Sequence, residues 1–288
     1  SASDLHGARP SVEITRCNSH HNTLGYSGTA GNSVYAHDND FHHNVAGIAT
    51  DSLFPNHPGL PQDSARFVNN RVYSNNENYY DNWLDGGPCF EPLANRGIEL
   101  GIVCPVVPLP VGTGIIIAGG NSNRIAGNWI WDNWRYGTML FGVPAVFRGE
   151  DGGVDALCFI GSQDPACIQP DPEDAAGDAQ IQFDTSHDNW YLANQMGLTP
   201  EGAEMPNGMD HWWDEGGTGN CWLGNVYAGG AARGSEPNPM LLPVCGQGVG
   251  VWHPPNPRLA TIVPCNDFSV PENPHPAGCP WMDDPSPP

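Results

Sequence analysis

The densest set of chemically able side chains is the run Asp210-His211-Trp212-Trp213-Asp214-Glu215. Carboxylates about 5–5.5 Å apart suit a retaining glycosidase pair, and about 6.5–9.5 Å apart an inverting pair. His211 adds a proton carrier or a metal ligand. Asp184 and His187 lie upstream and could reach the same place in a repetitive fold. Trp212 and Trp213 offer flat faces for sugar rings, and Arg135 offers a fixed cation for substrate binding. The candidate catalytic set is therefore Asp184, Asp210, His211, Asp214 and Glu215. In so acidic a chain, each carboxylate has the competing reading of a solvated surface group.

A second group is His20-His21, His37 and His42-His43. A spacing of 22 residues sets His20 over His42 and His21 over His43 if the chain coils with that period. His21 and His43 would then share a metal, Ca2+ or another divalent ion, with Asp38 or Asp40 nearby. Stacked polar residues on a repeating surface need no metal, and that is the plainer reading. No GxSxG, HExxH, GxxxxGK[ST] or CxxCH motif occurs.

The elements that must position these groups announce themselves as a repeat. The pattern Asn-x-apolar-x-x-Asn occurs at Asn39–Asn44, Asn70–Asn75, Asn123–Asn128, Asn128–Asn133, Asn189–Asn194 and Asn220–Asn225. Intervals near 22 residues, or 31 where a loop is inserted, describe the coils of a solenoid whose strands pair in parallel between coils. Asn accepts the left-handed bends, and stacked Asn amides can bond to one another. A sandwich or propeller is the competitor, but propeller repeats run to about 40–50 residues. Alternation within strands starting at Gly47, Gly97, Gly114, Ile181 and Gly208 places Ile48, Ile98, Ile115, Ile181 and Met209 inward. It leaves Asp51, Glu99, Asp184 and Asp210 outward on one sheet.

Composition sets the bounds. The 288 residues carry 32 acidic and 10 basic side chains, all ten Arg, for a net charge of −22. That excludes non-specific attraction to nucleic acid, and no apolar run reaches the ~20 residues of a membrane span. No signal peptide stands at Ser1, so any targeting segment is expected to be gone. Nine Cys point to an oxidising, secreted or cell-surface location. Eight form short-range couples, Cys89 with Cys104, Cys158 with Cys167, Cys221 with Cys245 and Cys265 with Cys279, although spacing alone leaves other pairings open. Cys17 is left over. Residues 1–233 read as the solenoid, and 234–288, with 14 of the 29 Pro, as an extended tail lying on it or capping its end. The strand-like Ser11–Thr15 has no capping element before it. An upstream segment or a second copy is expected to cover the first coil.

The coil length and Asn segments resemble the right-handed parallel β-helix of the pectate-lyase-like superfamily. Gly112–Asn121, Asp132–Phe141 and Met205–Glu215 are similar to segments of secreted actinobacterial β-helix repeat proteins. The resemblance spans roughly residues 10–230, implies an all-β solenoid, and carries no settled activity. Lyases of the superfamily use acidic Ca2+ ligands and an Arg or Lys base. This chain has no Lys, and no local motif marks Arg96, Arg124 or Arg135 as the substitute. Two functions are expected: a secreted polysaccharide-active hydrolase, lyase or epimerase, or a non-catalytic surface, adhesive or self-assembling protein.

Overall fold

The computed structural model describes residue 5 and residues 7–29, 31–52, 62–143, 186–233, 242–246 and 257–288. The chain visits three sheets in turn. The first strands are β1 (Glu13–Thr15), β2 (Asn18–His20) and β3 (Leu24–Thr29). The second round is β4 (Tyr35–His37), β5 (Asp40–His42) and β6 (Ala46–Asp51), and the third is β7 (Arg66–Val68), β8 (Arg71–Tyr73) and β9 (Thr113–Ala118). Then come β10 (Arg124–Ala126), β11 (Trp129–Trp131) and β12 (Tyr136–Phe141), followed by β13 (Trp190–Leu192), β14 (Gln195–Met196) and β15 (Met209–Trp213). The last strands are β16 (Cys221–Leu223) and β17 (Val226–Tyr227).

Every third strand pairs in parallel. The first sheet is β1-β4-β7-β10-β13-β16, the second β2-β5-β8-β11-β14-β17, and the third β3-β6-β9-β12-β15. Three parallel sheets of six, six and five strands are compatible with the expected solenoid. One short α-helix, α1 (Pro257–Ile262), is present among the described residues.

The Asn repeat is the reason the rounds stay in register. At the bend between the first and second sheets, Asn39, Asn70, Asn128, Asn194 and Asn225 form one column. Asn39 Nδ2 donates to Asn70 Oδ1 at 2.9 Å, Asn70 to Asn128 at 3.1 Å, Asn128 to Asn194 at 3.0 Å and Asn194 to Asn225 at 3.0 Å. Each Oδ1 also accepts from the backbone N–H of the preceding Asn, as Asn128 Oδ1 does from Asn70 N at 2.9 Å. A second column, Asn22-Asn44-Asn75-Asn133-Asn207, holds the bend between the second and third sheets. A third runs Asn123-Asn189-Asn220. These amides satisfy backbone groups that a buried bend would otherwise orphan.

The interior between the sheets is filled by Phe41, Ile48, Phe67, Val72, Ile115, Ile117, Ile125, Ile130, Tyr191 and their neighbours. A separate apolar layer covers the outer face of the five-stranded sheet. Ile116, Met139, Phe141 and Trp212 meet Tyr80, Leu109, Ile262, Cys265, Cys279, Trp281 and Met282 there. The C-terminal residues therefore lie across that face, with Val111 N donating to Trp281 O at 2.9 Å.

Disulfides join Cys89 to Cys104, Cys221 to Cys245 and Cys265 to Cys279, as the spacing suggests. Cys158 and Cys167 lie outside the described residues. Cys17 is free and exposed.

Two sequence expectations need correction. Residues 98–100 form a 3-10 turn rather than a strand, so Glu99 has no place on the sheet. Met209 is not inward: it packs with Tyr136 and Trp212 in the outer layer. The inward positions of β15 are His211 and Trp213, because Thr138 pairs with His211 and Leu140 with Trp213 in register with Ile115 and Ile117. A Gly at the second position of each earlier strand displaced the alternation that was counted from it.

Candidate functional site

The second position of the five-stranded sheet is a column of Gly25, Gly47, Gly114 and Gly137. A Cβ on any of these would meet the backbone oxygen of the next round at 2.5–2.8 Å. Asp210 follows Gly137 in this column, on the edge strand β15, where no further strand of this sheet lies beyond it among the described residues. It is only 2% exposed. Its carboxylate accepts from Asn207 Nδ2 at 3.1 Å and from the backbone N–H of Arg233 at 2.5 Å, while Asp210 N donates to Arg233 O at 2.9 Å. Burial raises its pKa, and these bonds oppose the rise. Asp210 thus ties residues 228–233 to the last round.

His211 points the other way, into the interior. Its Nδ1 meets Thr138 Oγ1 at 2.8 Å and its Nε2 meets Tyr227 Oη at 3.1 Å. Complete burial lowers its pKa to about 3, so it is neutral. Asp214, also buried, accepts from Gly142 N at 2.9 Å and Gly216 N at 2.7 Å, and burial pushes it up to about 6. Four residues of extended chain separate Asp210 from Asp214, roughly 13 Å, beyond the separation of either glycosidase pair. Glu215 accepts from Arg258. Asp184 lies outside the described residues.

The other binding candidates are committed to packing. Trp213 sits in the interior and Trp212 in the outer layer against Phe141 and Tyr136. The Arg135 guanidinium donates to Val111 O at 2.8 Å and to Asp283 O at 2.6 Å, clamping the C-terminal segment. His187 is buried, its Nδ1 at 3.0 Å from Thr218 Oγ1. The structure therefore does not gather Asp210, His211, Asp214 and Glu215 in one open groove.

The histidines stack as the 22-residue period requires. His20 lies over His42 with centroids 5.2 Å apart, and His21 over His43 at 5.7 Å. Tyr73 and Trp131 extend the first stack at 4.8 and 4.3 Å. Face-to-face rings 5.7 Å apart do not present His21 and His43 to one ion. The close nitrogens are within each round: His20 and His21 Nδ1 are 2.7 Å apart, as are those of His42 and His43. No three His, Cys, Asp or Glu side chains among the described residues are placed to hold a metal together.

One surface feature was not read from the sequence. On the outer face of the first sheet, Tyr35, Arg66, Arg124 and Trp190 form a row of directly paired positions. Arg66 lies 5.0 Å over the Tyr35 ring. Trp190 is 47% exposed, the one Trp among the described residues with so open a side chain. Neither guanidinium makes an ion pair among the described residues, although the chain carries 32 acids. The signal was available, because each member stands four residues before an Asn of the first column, Asn39, Asn70, Asn128 and Asn194.

No protein-family model, curated protein or solved structure matches this chain. No helix among the described residues is long and apolar enough to cross a membrane.

Proposed function

We propose that this is a secreted right-handed parallel β-helix that binds an acidic polysaccharide without turning it over, as an adhesive surface protein. The row Tyr35-Arg66-Arg124-Trp190 carries the proposal. Adjacent strands are about 4.8 Å apart, so the row spans roughly 14 Å. The exposed Trp190 ring offers a stacking face at one end, Tyr35 at the other is stacked on His37 and backs Arg66, and the two guanidiniums between them match carboxylate or sulfate groups. The global charge of −22 does not forbid this contact. Charges beyond a Debye length of about 8 Å are largely screened at physiological salt, so the local pair dominates.

The catalytic reading has less support. The described acid–base candidates serve as structural hydrogen-bond partners, and the outer face of the five-stranded sheet is covered over β9, β12 and β15. The disulfides fit an extracellular location.

Affinity electrophoresis through gels containing acidic polysaccharides tests the proposal. Retardation is expected for the wild type, weakened by Arg124→Ala and by Trp190→Ala, with no shortening of the polysaccharide. Turnover that Asp210→Asn abolishes at unchanged melting temperature would overturn it.

A further inference from the structure

The paired histidines on the second sheet are absorbed neither by the fold nor by the binding row. Positions 21, 43, 74 and 132 all adopt the same left-handed bend, with φ between 51° and 56°. Ser74 and Asp132 serve that bend as well as His21 and His43 do, so the bend itself does not demand histidine. What the bend does is fold two consecutive side chains toward each other. At His42-His43 the rings stand at 86° with their Nδ1 atoms 2.7 Å apart.

The tautomer of His42 follows from its other nitrogen. Nε2 is 2.8 Å from Asn18 Oδ1, an acceptor, so Nε2 carries the proton and Nδ1 presents a lone pair. A metal-bound imidazole needs that arrangement, with the distal N–H held by a fixed oxygen. His43 currently supplies the proton that lies between the two Nδ1 atoms. Moving it to the His43 Nε2 frees a second lone pair without a net change in protonation. Two metal–nitrogen bonds of about 2.0–2.1 Å at angles of 90–109° place the nitrogens roughly 2.9–3.3 Å apart. That is a few tenths of an ångström wider than the present contact.

We propose that His42 and His43 chelate a divalent transition-metal ion, Cu2+ foremost, through their Nδ1 atoms, with water completing the coordination. His20 and His21, one round away, form a second and weaker pair. Cu2+ heads the divalent series for nitrogen ligands and accepts a tetragonal set of two nitrogens and water oxygens. The inner pair is the stronger because it is half-buried, its tautomer is fixed by Asn18, and Tyr73 backs the His42 ring. The second pair is weaker because its ion meets the charge of the first.

The test is titration of Cu2+ alone into the full-length chain carrying Cys17→Ser, which removes the exposed thiol. Electron paramagnetic resonance at one equivalent is expected to show coupling to two imidazole nitrogens. Calorimetry should show His43→Asn weakening the first equivalent at least tenfold, while His21→Asn leaves it within twofold. Asn tolerates the left-handed bend, so both variants are expected to fold, as checked by circular dichroism. A first equivalent lost equally in both variants would overturn the proposal, as would wild-type binding no tighter than that of His43→Asn.

Discussion

Asn128→Ala removes the centre of one of the two five-residue amide columns, and its cost can be worked from the bonds it breaks. Asn128 Oδ1 accepts from Asn70 N at 2.9 Å and Asn70 Nδ2 at 3.1 Å. Its Nδ2 donates to Phe67 O at 2.9 Å and Asn194 Oδ1 at 3.0 Å. Asn70 Nδ2 keeps Ala36 O and Asn194 Oδ1 keeps Asn128 N, but the buried Asn70 N–H loses the acceptor assigned to it. An orphaned buried donor costs about 1–3 kcal/mol, and each remaining bond contributes about 0.5–1.5 kcal/mol. The sum is roughly 2.5–7.5 kcal/mol. Asn22 stands at the end of its column, where its side chain supports no earlier round and is partly exposed, so Asn22→Ala should cost only about 1 kcal/mol. Guanidinium unfolding followed by far-UV circular dichroism, with disulfides intact, measures both. Asn128→Asp should be worse than Ala at pH 7, because a carboxylate oxygen then faces Phe67 O and Asn194 Oδ1. It should recover as pH falls and that carboxyl takes up a proton. An Asn128→Ala cost no larger than that of Asn22→Ala would refute the reasoning that the columns hold the rounds together.

Gly114→Ala should destabilise by several kcal/mol, since its Cβ would lie 2.5 Å from Gly137 O, whereas the open Gly86 position should cost only about 1 kcal/mol from its φ of +77°. Thermal unfolding of the two variants compares them. Cys279→Ala opens a 14-residue closure worth about 3 kcal/mol and should loosen the outer layer, read as a red shift in Trp281 fluorescence. His211 is neutral when folded, with its pKa near 3 against an ordinary 6.5, so its contribution is complete above pH 6.5 and is lost as pH falls toward 3. Asp214 acts in the opposite sense: its folded pKa of about 6 lies above the ordinary 3.8, so stability is gained as pH falls through 6. His211→Gln should therefore flatten the loss of stability between pH 6.5 and 4 measured in denaturant titrations, and Asp214→Asn should steepen it.

The parallel strands were legible because Asn and Gly at fixed intervals report bends directly, and the 22-residue period placed His20 over His42 before any coordinate. The acid–base reading fared differently. It counted alternation from the glycines and could not show that Asp210 continues the column of Gly25, Gly47, Gly114 and Gly137, so that Met209 packs outward and His211 inward. Nor could it show that Asp210 is held by the backbone of Arg233, because that contact depends on where residues 228–233 return. The row from Tyr35 to Trp190 was present in the same register as the Asn column. Its members are separated by 31, 58 and 66 residues, so no local motif in the sequence marks them as neighbours.

The row from Tyr35 to Trp190 is the proposed polysaccharide-binding face. Calorimetry of an acidic polysaccharide against wild type and the double variant Arg124→Ala/Trp190→Ala, at matched melting temperature, addresses it directly. Base and aromatic truncation at this face should lower affinity at least tenfold, and wild-type affinity should fall with added salt. Equal affinities for the two proteins, or no binding to either, would contradict it.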